Sequence, residues 1–125
     1  MGVNVYGLDN CDTCRKARNW LGRFKVEFQF VDYRAHKIAP ESLKAWSAQV
    51  GGWDAFINRA SPTWRNLPPA RKSPGSDAEW SLLLREHPAL VRRPLLVFAD
   101  GRVHQGFSDN GFKKLFDVKS GAMHG

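Results

Sequence analysis

The stretch VNVYGLDNCDTCRKARNWLGRF, residues 3–24, decides how the rest of the chain is read. Its opening, VNVYGL (3–8), is a short apolar run and reads as a buried strand. The run leads straight into Cys11 and Cys14, the two cysteines of the chain. Beyond them Ala17, Trp20, Leu21 and Phe24 recur at helical spacing, with Gly22 inside the pattern. VEFQFVDY (26–33) sets Phe28 and Phe30 on one face, the alternation of a second strand. A helical crossover of this length predicts that the two strands run parallel.

The middle of the chain changes character. In APESLKAWSAQVGGWDAFINRASPTWRNL, Leu43, Trp46 and Val50, then Trp53, Phe56 and Ile57, fall at helical spacing. Pro40 suits a first turn, and Gly51-Gly52 stops that helix. PPARKSPGS (68–76) is a basic loop rich in turn residues. Ser76 with Glu79 three residues on fits a capping box before a helix in SDAEWSLLLREHP (76–88). Strands are expected to be absent from about 35 to 93. They return in PLLVFADGRVHQGF, where Asp100-Gly101 between apolar runs signals a hairpin. In DNGFKKLF (109–116), Phe112, Leu115 and Phe116 share a helical face, and the tail DVKSGAMHG is expected to fray. The order is β-α-β, helices, β-β-α. It predicts an α/β protein with a thioredoxin-like fold, a mixed four-stranded sheet and an inserted helical subdomain. The chain reads as a single domain, 1–125. Its halves lie at about 1–35 and 93–117 and the helical insertion at about 36–92.

The 125 residues, 42% hydrophobic with 8 Phe, 5 Trp and 2 Tyr, suffice for a core and exclude a disordered chain. No basic region followed by an apolar run opens the sequence, so no signal peptide is expected. No apolar stretch approaches the ~18 residues of a membrane span. The expected location is cytoplasmic, where thiols stay reduced and a structural disulfide is disfavoured. Lys and Arg number 19 against 12 Asp and Glu, a net +7 that favours an anionic partner. The clusters at 15–16, 71–72 and 92–93 are too short for a nucleic-acid arm, so no direct nucleic-acid binding is expected. The remaining anions are phosphate, arsenate or an anionic thiol such as glutathione; a merely basic surface is the plainer alternative.

Three readings of the cysteine pair compete. A structural zinc site needs four ligands. Two cysteines supply half of these, and His36, His87, His104 and His124 show no finger-like spacing, so no metal is expected. A buried inert pair stays open. The reactive reading has a physical reason behind it. Cys11 stands at the strand-to-helix junction, where free N–H groups and the helix dipole favour an anion. A thiolate is such an anion, so the Cys11 pKa is expected to fall below its free value. Thr13 either donates to that thiolate or sits in the first turn. Arg15, one turn on, either adds positive charge or points to solvent. Cys14 lies one turn inside the helix on the same side, a spacing compatible with disulfide formation. Cys11 can attack and Cys14 can resolve, and CxxC after a strand and opening a helix is a strong sign of redox chemistry.

CDTCRKARNWL together with EHPALVRRPLLVF resembles the arsenate reductase (ArsC)/Spx family, most of all its YffB-like branch. The resemblance spans about residues 3 to 117 and implies the thioredoxin-like fold with its helical insert. It also implies roles. The family nucleophile matches Cys11. Cys14 stands where glutaredoxin-linked arsenate reductases have serine and Spx-type switches have cysteine. Arg59, in FINRASPTWRNL, and Arg93, in RRP, match two arginines that contact the oxyanion in the reductases, and Arg92 beside the second either joins them or faces solvent. Pro94 matches a proline that is cis in thioredoxin-like folds. In the YffB-like branch the implied activity is glutathione-dependent thiol reduction, with glutathione as co-substrate.

One departure bears on the substrate. Arsenate reductases place a third arginine just after the hairpin, where this chain has Gln105 and Gly106. That weakens an arsenate reading and suits a larger thiol. Three rivals stay open: an arsenate reductase coupled to glutathione or glutaredoxin, an Spx-type regulator that binds the RNA polymerase alpha subunit, and a relic of the arsenate family with no turnover. A monomer is expected. Among other residues, Asp9 and Asn10 shape the loop and His87 caps a helix end. Trp46, Trp53, Trp64 and Trp80 fill the insert, with Trp64 close enough to Arg59 to line a groove.

Overall fold

The computed structural model describes residues 2–118. Strand β1 (Val3–Gly7) leads through a tight turn into helix α1 (Asp12–Arg23), and β2 (Phe28–Asp32) returns parallel to β1, with Val3 opposite Phe28 and Gly7 opposite Asp32. Helices α2 (Pro40–Gln49), α3 (Trp53–Phe56), α4 (Pro62–Arg65) and α5 (Asp77–Glu86) follow, with 3-10 turns at Pro69–Lys72 and Pro88–Leu90. Strands β3 (Leu95–Phe98) and β4 (Val103–Gln105) and helix α6 (Asp109–Leu115) complete the described part. The sheet order is β2-β1-β3-β4, with β3 antiparallel to both of its neighbours. The fold is thioredoxin-like, a mixed four-stranded sheet with helices. The tail expected to fray lies outside the described residues from position 119 onward.

The sheet separates two apolar layers because successive strand residues face opposite ways. Leu96, Val3 and Val5 pack with Trp20, Leu21 and Phe112 from α1 and α6. Leu95, next along β3, packs on the other side with Leu43, Phe56, Leu83 and Leu90. The Trp20 indole N–H donates to Asp109 at 2.8 Å and ties α1 to α6. On the opposite side the Gln49 amide clamps the β3–β4 turn: it donates to the Gly101 carbonyl at 2.7 Å and accepts from the Val103 N–H at 3.1 Å. The hairpin loop has three residues, 99–101, since Val97 faces Val103. Gly101 takes the left-handed position that closes such a loop (φ +92).

Two local expectations are modified. Ser76 caps α5 through the Glu79 N–H at 3.2 Å, but the Glu79 carboxylate reaches the N–H of Gly75 rather than that of Ser76, at 2.9 Å. The capping box is therefore shifted by one residue. The helical spacing at Trp53, Phe56 and Ile57 yields a single turn. After it the chain is extended, and Ile57 forms an isolated antiparallel bridge with Val91. The Asn58 N–H bonds the Leu90 carbonyl at 2.8 Å and the Arg92 N–H bonds that of Phe56 at 3.1 Å. Residues 35–93 thus hold one element of strand-like pairing after all, and it joins both flanks of the insert.

Candidate active site

The turn after β1 closes with the Cys11 N–H on the Leu8 carbonyl at 3.3 Å, placing Asp9 and Asn10 at its tip. Cys11 is then the cap of α1: its backbone is extended, and its sulfur accepts the Cys14 N–H at 3.4 Å. Cys14, one turn further, is fully buried. A methyl group built on Gly7 would stand 2.5 Å from the Cys14 sulfur and 3.1 Å from Phe30. Glycine at the end of β1 is therefore what leaves room for the second thiol.

The two thiols titrate in opposite directions. Partial burial pushes Cys11 up, but the Cys14 N–H and thiol and the Arg93 guanidinium outweigh it and leave Cys11 lowered. Burial pushes Cys14 up to about 12; the nearby Cys11 adds to the rise, and the backbone at Leu8 opposes it. The outer sulfur is the readier thiolate, and the inner one keeps its proton.

The insert supplies the facing wall. Arg93 is half-buried. Its Nη1 donates to the Ala89 carbonyl at 2.8 Å, and its charge is near enough to Cys11 to favour the thiolate. Its Nε is buried and has no hydrogen-bond partner among the described residues. The Arg93–Pro94 peptide bond is cis, Pro94 is fully buried, and its carbonyl accepts the Gly106 N–H at 2.9 Å. Between the walls lies an open cleft of about 440 Å³ lined by Cys11, Thr13, Asn58, Arg59, Arg92 and Arg93, with Asp54 at its side. Arg59 lies 5.2 Å from the centre of the Trp64 ring and 3.6 Å from the Asp54 carboxylate. Trp64 in turn stacks with Trp80, and Trp80 with Trp53, at interplanar angles of 8° and 5°.

The structure gathers Cys11, Thr13, Arg59 and Arg93 in one cleft and adds Arg92. Thr13 lines the cleft while the Cys14 N–H is the backbone donor on the sulfur. Arg15 stands apart from the cleft lining, exposed and paired with Asp12 within α1. Gln105, at the position of the missing third arginine, does not open the cleft. Its amide donates to the carbonyls of Phe56 at 2.9 Å and Arg92 at 3.3 Å and so holds the arginine wall. His87 caps the end of α5, its N–H on the Leu83 carbonyl at 2.9 Å. Asp54 and Asn58 carried no signal in the sequence. They reach the site through the Ile57–Val91 bridge, which no local pattern announces. Among the described residues, no three His, Cys, Asp or Glu side chains come together as a metal site.

These features define a class: thioredoxin-like α/β proteins with a cysteine capping the first helix and a helical insert that brings arginines to it. The sequence model of the ArsC family matches residues 6–115, and the chain belongs to that family. Within it the chain is YffB-like. It is similar to the solved structure of the YFFB (PA3664) protein, at 37% identity and a TM-score of 0.80, covering 90% of this chain and 96% of that one. It is 34% identical over 114 residues to an uncharacterised protein of Haemophilus influenzae, covering 91% and 98% of the two chains. The global transcriptional regulator Spx of Bacillus subtilis is 26% identical over 119 residues, covering 94% and 88%.

Proposed function

We propose that this protein is a thiol-disulfide reductase that uses glutathione, in the cytoplasm, where glutathione is kept reduced. The observation that carries the reading is Cys11: a helix-capping thiol with a lowered pKa at the edge of a cleft holding three guanidinium groups. The Cys11 thiolate attacks one sulfur of a glutathione mixed disulfide. A Cys11–glutathione disulfide forms, and the substrate thiol leaves as thiolate and takes a proton from water. A second glutathione thiolate then attacks the glutathione sulfur, releasing oxidised glutathione and the Cys11 thiolate. Arg59, Arg92 and Arg93 suit the two carboxylates of glutathione because guanidinium donates in pairs. Cys14, buried and protonated, supports the first step through its backbone N–H on Cys11 and is the slower of the two possible resolving thiols.

Two observations weigh against arsenate as the main substrate. Gln105 replaces a cation in the family's oxyanion clamp, and its amide is committed to two backbone carbonyls. The similarity to Spx and the presence of two thiols favour a regulatory reading as second choice, with the RNA polymerase alpha subunit as partner. Reaction of the reduced protein with oxidised glutathione, mapped by mass spectrometry, separates the readings. A stable glutathione adduct on Cys11, together with turnover of a glutathione mixed disulfide well above that of arsenate, is the expected result. Rapid collapse to a Cys11–Cys14 disulfide with no turnover, and capture of the alpha subunit, would transfer the assignment to the regulator. Efficient arsenate turnover would sink the thiol-substrate reading.

A further inference from the structure

Arg59 is held in the cleft without a hydrogen bond. Among the described residues its guanidinium meets two side chains: the Trp64 ring, 5.2 Å from the ring centre, and the Asp54 carboxylate at 3.6 Å. More than half of the arginine side chain is exposed, and a long side chain without support samples many rotamers. The ring beneath it is fixed. Trp64 is buried, with 6% of its surface exposed, and its backbone N–H donates to the Ser61 hydroxyl that caps α4, at 3.2 Å. Trp80 and Trp53 continue from it as a near-parallel series, with ring centres 6.3 and 5.9 Å apart. The three rings come from α4, α5 and α3. The last is pinned by its indole N–H, which donates to Asp77 at 2.7 Å. An aromatic face attracts a cation through its quadrupole and takes none of its N–H donors. Arg93 is anchored differently, by giving one N–H to the Ala89 carbonyl.

We propose that Trp64 is a positioning residue for substrate binding: its ring face holds the Arg59 guanidinium at the cleft with its N–H donors unspent, and Arg59 gives them in a pair to a carboxylate of the glutathione moiety. The inference rests on glutathione as the ligand of this cleft. Trp64 is not part of the cleft lining, so it acts on the ligand only through Arg59. Asp54 is the competitor for the same guanidinium. It lies on the exposed side of the cleft at ion-pair distance, where a ligand carboxylate can displace it without disturbing the ring below.

The test is steady-state turnover of the mixed disulfide of glutathione with 2-mercaptoethanol in wild type, Trp64→Leu, Trp64→Phe, Arg59→Met and the Trp64→Leu/Arg59→Met double variant. Trp64→Leu is expected to raise KM about two- to fivefold with kcat unchanged, as the loss of one exposed cation–π contact is worth. Trp64→Phe keeps an aromatic face and is expected to restore most of the loss. In the Arg59→Met chain Trp64→Leu is expected to raise KM no further. A KM that Trp64→Leu leaves unmoved, that rises equally with and without Arg59, or that Phe does not restore overturns this inference alone. Absence of turnover in the wild type overturns the glutathione reading instead. In that case, or should Trp64→Leu fail to fold, proton NMR of the wild type decides on the platform, with the Arg59 side-chain signals assigned by their loss in Arg59→Lys. Signals shifted upfield by the ring current of Trp64 support it, and signals at their ordinary positions overturn it.

Discussion

The two walls of the cleft are built in different ways. The thiol wall is local: residues 8–15 form one turn and the start of one helix, and the backbone hydrogen bonds that set Cys11 come from within it. The arginine wall is assembled at a distance. Arg59 and Arg93 lie far apart in sequence and meet because the chain at Phe56–Asn58 pairs with Leu90–Arg92. The reactive group is thus delivered by short-range backbone geometry and its anion-binding partners by tertiary pairing. The two walls should fail differently when broken.

Breaking the thiol wall gives the largest effect. Cys11→Ser should reduce turnover of a glutathione mixed disulfide to the uncatalysed background, since a hydroxyl does not ionise in this range. Fold and cleft should be unchanged by circular dichroism. Retained turnover would place the nucleophile elsewhere. Breaking the arginine wall at Arg93 comes next. Arg93→Met removes a half-buried cation that shares the cleft with Cys11 and lowers its pKa, and should slow turnover roughly ten- to a hundredfold, the worth of a charged interaction with the thiolate. The loss should shrink as pH rises, because the wild-type advantage lies in thiolate fraction below the unperturbed cysteine pKa. An effect independent of pH would assign Arg93 to ligand binding alone.

The same contrast explains what was legible in the sequence. Strand, turn, cysteine and helix are written contiguously in residues 3–24, and hydrophobic periodicity with the helix-end dipole suffices to place Cys11. Two of the three strand pairings follow from the same physics, since a short crossover makes β1 and β2 parallel and Asp100-Gly101 turns β3 into β4; that β3 lies beside β1 has no local signal. The arginine wall was reached only through family resemblance, because one bridge between Ile57 and Val91 leaves no period to read. Asp54 is silent in the sequence for that reason. Gln105 was noticed as a missing charge, but its bonds to Phe56 and Arg92 could not be read from its position in the chain.

Cys14 tests the interior of the thiol wall through stability. Gly7→Ala forces a methyl to 2.5 Å from its sulfur and should destabilise the fold by about 1–3 kcal/mol in urea unfolding. In a Cys14→Ala chain part of that cost should vanish; the remainder reflects Phe30 at 3.1 Å. Equal costs in both backgrounds would show that the strand, not the thiol, demands glycine. The raised Cys14 pKa has its own signature. Its folded value of about 12 lies above the ordinary thiol value of 9.0, so the unfolded chain loses this proton first. The associated stability is fully present below pH 9 and is lost on the way to about 12, at up to ~1.4 kcal/mol per pH unit. Buried Tyr33, also pushed up to about 12, adds in the same direction above pH 10. Cys14→Ala should make alkaline unfolding measurably shallower. An identical slope in the variant would mean the thiol ionises in the folded state as easily as in the unfolded one.

The smallest effect belongs to the rim of the arginine wall. Asp54 and Arg59 pair at 3.6 Å with both side chains more than half exposed (72% and 55%). Such an exposed pair is worth about 0.2–1 kcal/mol. If its main consequence is to occupy Arg59, then Asp54→Ala frees a guanidinium that still rests on Trp64. The KM for glutathione should fall up to about fivefold, with kcat unchanged, and the gain should diminish in high salt. Stability should fall by no more than the pair's own about 0.2–1 kcal/mol, because neither side chain is buried. A rise in KM would reverse the assignment: Asp54 would then be holding the ligand's ammonium group, and the rim of the cleft would recognise both charges of an amino acid rather than carboxylates alone.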